Sequence, residues 1–166
     1  RGTSGLMAVA KHPHAQEVLK GQLHTPAFRR VYLAVCDGGP QPPSGVVDAP
    51  LGPREGSLVE QMVRPDGKDA RTRYETLSRS GGRSLVRLEL DTGRTHQIRV
   101  QFASRRHPLR GDGKYGSRIK GDIALQSARL RFIHPDTGKG MDFRLPVPGT
   151  WPAWGIRQEN DNGTTV

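Results

Sequence analysis

The chain has 166 residues, of which 33% are hydrophobic and 25% charged, and its formal net charge is +10. This length suits one domain with a hydrophobic core, and no apolar run is long enough to predict a membrane span. The single cysteine cannot form an internal disulfide, and the excess of basic residues favours a polyanionic partner, with nucleic acid the first expectation.

The first third of the chain predicts a strand, a helix and a second strand. Residues 6–10 are apolar and predict a short strand. Pro13 suits the first turn of a helix, and the apolar residues after it recur at helical spacing. Residues 29–36 alternate as in a strand, and this places Cys36 in an apolar setting, where a buried and inert thiol is expected.

The middle of the chain predicts a hairpin followed by a helix. After a short strand at residues 46–52, residues 53–68 read as irregular. Residues 70–77 and 83–91 are two strands joined by a glycine turn. From Gly93 onward the hydrophobic period changes from two to about 3.6, which predicts a helix that Thr95 caps.

The last third contains a glycine-rich loop at residues 107–117 and two closing strands at 123–134 and 140–146. The elements together predict an α+β fold, in which a mixed, mostly antiparallel sheet is combined with a few helices and glycine-rich loops. We expect one domain over residues 1–157 and a disordered tail at 158–166, because the tail has nothing to pack.

Five motifs occur along the chain in this order: RGTSGLMAVAK, RVYLAV, DGKDARTRYETL, LDTGRTHQIRV and HPLRGDGKYGS. Together they resemble the RluA-type RNA pseudouridine synthases, and the resemblance runs from Arg1 to about Pro148. It implies the catalytic fold of that family and the isomerisation of uridine to pseudouridine in structured RNA, ribosomal or transfer, by base flipping. It further implies no metal or cofactor, no membrane, a monomer, and the cytoplasm if the source is bacterial.

The resemblance also exposes a gap at the start of the sequence. The first motif of the family reads H-R-L-D-x-x-T-S-G, and this sequence supplies only its end, RGTSG. The catalytic aspartate would be the residue immediately before Arg1. We therefore expect residues 1–166 alone to bind RNA without turnover.

Several residues match the catalytic pocket of the family. Arg94 matches an arginine that pairs with the catalytic aspartate and keeps it ionised. Tyr32 matches a tyrosine that stacks on the flipped uracil and takes part in proton transfer. Ile98 would wall the uracil pocket, although a helix-face isoleucine is more often plain core. Thr3 and Ser4 would brace the aspartate loop.

Basic residues on strands and loops are the expected contacts to the RNA backbone. Within the helix start, His96 and Gln97 are expected to be structural, whereas Arg99 would contact phosphate or support the aspartate loop. Asp112 is expected to bond the amides of its own loop. The expected RNA contacts are Arg29, Arg30, Lys68, Arg99, Arg110 and Lys114. Arg71 and Arg73 are further candidates, although a charged residue on a strand usually just faces solvent.

Two readings from other classes compete with the enzyme. The first is a non-catalytic RNA-binding module or RNA chaperone that kept the fold. The second, a metal-dependent or triad hydrolase, lacks support, because the six histidines show no zinc spacing and no nucleophile stands beside a base.

Overall fold

The computed structural model describes residues 2–57 and 59–151, so the tail expected at 158–166 lies outside the described residues. Two sheets and two α-helices make up this part of the chain, which is an α+β arrangement. The strands are β1 (Ser4–Gly5), β2 (Arg29–Asp37), β3 (Ser44–Asp48), β4 (Leu51–Pro53), β5 (Gln61–Val63), β6 (Arg71–Ser80), β7 (Arg83–Leu90), β8 (Leu125–Ile133) and β9 (Gly140–Arg144). The helices are α1 (Pro13–Gln22) and α2 (Gln97–Ser104).

The main sheet has seven strands in the order β1-β8-β2-β7-β6-β3, with β9 also paired to β8. Only the β1–β8 pair is parallel. The hairpin predicted at residues 70–91 is confirmed as β6–β7. Gly81 and Gly82 make its turn with φ values of 56° and 72°, a left-handed backbone that matches the twist of paired strands.

The core lies between the sheet and α2. Side chains alternate along a strand, so Val86 and Leu88 face α2 and are fully buried, and Ile98 and Phe102 pack on them from the helix. These four residues confirm the predicted change of period after Gly93. None of the described helices is both long and apolar enough to cross a membrane.

Cys36 confirms the prediction of a buried thiol. Its side chain is fully buried in the core. This burial is the main cause that raises the pKa of the thiol to about 12. A thiol with this pKa carries almost no thiolate near neutral pH, so it is a poor nucleophile.

Four predictions of local structure are wrong. The stretch at residues 46–52 is not one strand, because it is divided between β3 of the main sheet and β4 of the small sheet. Residues 6–10 do not form a strand, since β1 stops at Gly5 and only the Leu6 amide continues its bonding, to the Ser127 carbonyl. Residues 53–68 are not simply irregular, because β4 and β5 form a two-stranded sheet there. Thr95 does not cap α2: His96 occupies the cap position with φ 56° and makes no side-chain capping bond.

Candidate functional site

Gln97 ties residues 92–94, which we call the TGR turn, to the sheet, and this is a structural role of the kind expected for it. Its carbonyl oxygen Oε1 accepts bonds from the Thr92 hydroxyl at 2.8 Å and the Arg94 amide at 3.0 Å. Its amide nitrogen Nε2 donates to the Arg71 carbonyl at 3.0 Å and the Thr72 hydroxyl at 2.9 Å. The side chain is 3% exposed, so every polar atom of a buried amide is used, and the turn is held rigidly.

Arg99, which we expected either to contact phosphate or to support the aspartate loop, lies inside the protein. Its Nε and Nη2 atoms each donate to a carboxylate oxygen of Asp112 at 2.7 Å. The guanidinium carbon also lies 4.9 Å from the centre of the Tyr115 ring. A bidentate pair with side chains 9% and 1% exposed leaves Arg99 no reach to a surface phosphate. Asp112 thus bonds Arg99, and the prediction that it bonds its own amides is wrong.

Tyr115 links three elements through its hydroxyl group. The hydroxyl accepts a bond from the Gln61 amide of β5 at 3.0 Å and lies 2.8 Å from Nδ1 of His96. Burial, and secondarily the nearby Arg99 charge, lowers the pKa of His96. The neutral imidazole is therefore favoured, and its Nδ1 can accept a hydrogen bond that the Tyr115 hydroxyl donates. Sequence reasoning missed Tyr115, although it stands within the HPLRGDGKYGS motif.

The N-terminal residues lie in the same row of the sheet as Tyr32 and beside Arg99. Gly5 and Tyr32 both pair with Ser127, from opposite sides of β8, so they occupy one row of the sheet. A methyl group built on Gly2 would lie 3.5 Å from Nη1 of Arg99. The Arg99 atom not bonded to Asp112 therefore faces the start of the chain.

The predicted pocket residues fall around this meeting point. Ile98 is 4% exposed and belongs to the core, and Tyr32 is half-buried against the same cluster. Thr3 and Ser4 are exposed, and the Ser4 hydroxyl donates to the Leu125 carbonyl at 3.3 Å.

Arg94 occupies a different place from Arg99. Its Nε donates to the Asp69 carbonyl at 2.9 Å. It lines an open cleft of about 570 Å³ between the β4–β5 sheet and the TGR turn, together with Lys68. None of the N-terminal residues 2–5 lines this cleft. The structure thus brings Arg94 and Lys68 together and leaves Arg99 beside Gly2.

Arg30 stands on the other side of the TGR turn. A methyl group built on Gly93 would lie 3.0 Å from Nη1 of Arg30. The guanidinium also lies 5.8 Å from the centre of the Phe28 ring. Arg30 and Tyr32 are two residues apart on β2, so they leave the same face of the sheet.

The remaining basic residues expected to contact RNA are less available. Arg29 leaves the opposite face of β2 and is paired with Glu89. Lys114 is paired with Glu60 at 3.4 Å. Arg110 is half-buried, and its Nε has no hydrogen-bond partner among the described residues. Within residues 2–57 and 59–151, no group of His, Cys, Asp and Glu side chains is arranged to hold a metal ion.

The sequence matches the model of a known protein family. A family model described as RNA pseudouridylate synthase matches residues 1–104, and the chain belongs to this family. The family was predicted from the motifs, and that prediction is confirmed.

The chain is similar to an uncharacterized RNA pseudouridine synthase of Bacillus subtilis, YjbO, with 42% identity over 150 residues that cover 89% of this chain and 53% of that protein. It is 37% identical to ribosomal large subunit pseudouridine synthase D of Vibrio vulnificus, covering 89% of this chain and 50% of that one. It therefore spans about half the length of these curated relatives.

The fold has a solved counterpart in the human RNA pseudouridylate synthase domain containing 1 protein. The two superpose with a TM-score of 0.68 over 80% of this chain and 58% of that chain, at 22% identity. At this identity the likeness concerns the fold, and it agrees with the predicted α+β catalytic fold.

Proposed function

We propose that this chain is the catalytic part of an enzyme that isomerises uridine to pseudouridine in structured RNA, with ribosomal and transfer RNA as candidate substrates. The observation that carries the proposal is that Tyr32, the N-terminal residues and Nη1 of Arg99, which has no hydrogen-bond partner among the described residues, lie on one side of the sheet. Family membership supports the same reaction.

The reaction rearranges bonds and needs no net gain or loss of atoms. The bond from C1′ of the ribose to N1 of uracil breaks, and a bond from C1′ to C5 forms. The hydrogen on C5 leaves as a proton, and N1 gains a proton. A uridine must first leave its stack, at a cost of a few kcal/mol that stacking on Tyr32 and phosphate contacts would offset.

We assign the carboxylate-pairing role to Arg99 and no longer to Arg94. The family motif puts the catalytic aspartate two residues before Gly2, and Nη1 of Arg99 lies beside Gly2. Asp112 fixes the guanidinium through its other two donors, so the remaining N–H groups are aimed without a loss of side-chain freedom on pairing. A carboxylate beside this guanidinium would stay ionised in a dry pocket.

Tritium release from RNA labelled at C5 of uracil tests the proposal. We expect release when the chain is assayed within its full native polypeptide, and RNA binding without release from residues 1–166 alone. Release by residues 1–166 alone would show that the expected aspartate is not needed. Binding without release by the full polypeptide would favour the RNA-binding module.

A further inference from the structure

The cleft between the β4–β5 sheet and the TGR turn is separate from the meeting point of Tyr32, Arg99 and Gly2. Its walls carry three basic side chains, those of Arg64, Lys68 and Arg94, and one carboxylate, that of Asp66. The Asp66 carboxylate is paired with Arg64, whose Nε and Nη2 atoms donate to its two oxygens at 2.5 and 2.6 Å. Two positive charges, on Lys68 and Arg94, therefore remain without a carboxylate partner among the described residues.

Lys68 and Arg94 differ in this respect from two arginines on the opposite face of the main sheet. Arg71 is paired with Asp48, and Arg73 is paired with Asp91. An arginine already paired with a carboxylate must give up that bond to bind a phosphate. Lys68 and Arg94 have no such bond to lose, so the cleft is the better anion site.

The cleft is built to hold its shape. Lys68 and Leu51 exchange two backbone hydrogen bonds, of 2.8 and 2.9 Å, which fix the base of the lysine. Arg94 is oriented by the bond from its Nε to the Asp69 carbonyl, and this bond leaves its two Nη atoms for a ligand. The volume of about 570 Å³ falls in the range of small-molecule sites and is large enough for one nucleotide.

Basic groups connect the cleft to the reaction centre. Arg30 lies against Gly93, which also lines the cleft, and it leaves β2 on the same face as Tyr32. Like Lys68 and Arg94, it has no acidic partner among the described residues. A single RNA strand that places one uridine at Tyr32 would therefore pass Arg30 on its way to Lys68 and Arg94.

We propose that this cleft is a subsite for a nucleotide that flanks the reacting uridine, with its phosphate held between Arg94 and Lys68. The inference rests on the proposed function for the identity of the strand, but its contacts can be measured without turnover. Recognition would be through phosphate and shape, so the subsite would position the strand without reading its sequence.

The test is the salt dependence of binding to a fluorescent single-stranded oligouridine, measured by anisotropy with the full native polypeptide. Each phosphate contact contributes about 0.7 to the slope of log K against log salt for a single strand. We expect the double variant Lys68→Gln/Arg94→Gln to lower that slope by about 0.7, the contribution of the one phosphate that the two side chains hold. The control Arg73→Gln/Arg71→Gln removes the same charge from the opposite face and should leave the slope unchanged.

Equal slopes for the two double variants would overturn the proposal, whatever the tritium assay shows. A second readout locates the contact: bound oligouridine should protect the Lys68 amine from acetylation, while Lys20 of α1 should stay reactive. Acetylation of Lys68 at an unchanged rate would also overturn it. If the slope falls and Lys68 is protected but no tritium is released, the subsite stands and the proposed reaction fails.

Discussion

Replacing Asp112 by asparagine should destabilise the protein by about 3–5 kcal/mol, the usual cost of removing one partner from a buried ion pair. The Arg99 and Asp112 side chains are 9% and 1% exposed, so water cannot solvate the Arg99 charge once the carboxylate is gone. An asparagine amide also presents a donor where the carboxylate had an acceptor, and one N–H of Arg99 would lose its bond.

The measurement is the free energy of unfolding from urea denaturation. An unchanged slope of that free energy against urea concentration would show that the unfolded state is not altered. The matched control is Asp48→Asn, which removes the carboxylate from an Arg71 pair that is about half exposed. That exposed pair should contribute about 0.2–1 kcal/mol. If Asp112→Asn costs no more than Asp48→Asn, the buried pair does not hold Arg99 in place, and our account of its orientation is wrong.

Two further predictions concern the glycine-rich loop and the imidazole beside it. Gly111→Ala should lower the melting temperature strongly, because the backbone has φ 81° and the added methyl group would lie 2.0 Å from the Asp122 carbonyl oxygen. The control is Gly113→Ala, whose methyl group meets nothing within 4 Å and should have little effect on the melting temperature. Similar melting temperatures for the two variants would contradict this. Because the pKa of His96 is lowered in the folded protein, the unfolded chain binds a proton more readily once the pH falls below about 6.5. The free energy of unfolding that the neutral ring contributes above that pH is therefore lost on acidification. His96→Asn, which keeps a residue tolerant of φ 56°, should show a smaller loss of unfolding free energy between pH 7.5 and 5, and an unchanged loss would exclude His96 as the group responsible.

The sequence was informative where the cause of structure is local. Alternation along residues 29–36 and 83–91 set the strands, since one face of a sheet must be buried. The glycines at 81 and 82 set the turn, because few other residues adopt its left-handed backbone. The motifs were specific enough to identify the family before any geometry was known.

The partners of charged side chains were decided only by the tertiary structure. Arg94 and Arg99 stand five residues apart in one motif, and nothing in their spacing distinguishes their roles. Asp112 is distant from Arg99 in sequence and reaches it because the glycine-rich loop folds back over α2. Likewise Lys68 meets Arg94 only through the packing of the β4–β5 sheet against the TGR turn. A charge is paired or free according to which segments fold next to it, and long-range packing, not local pattern, fixes those neighbours.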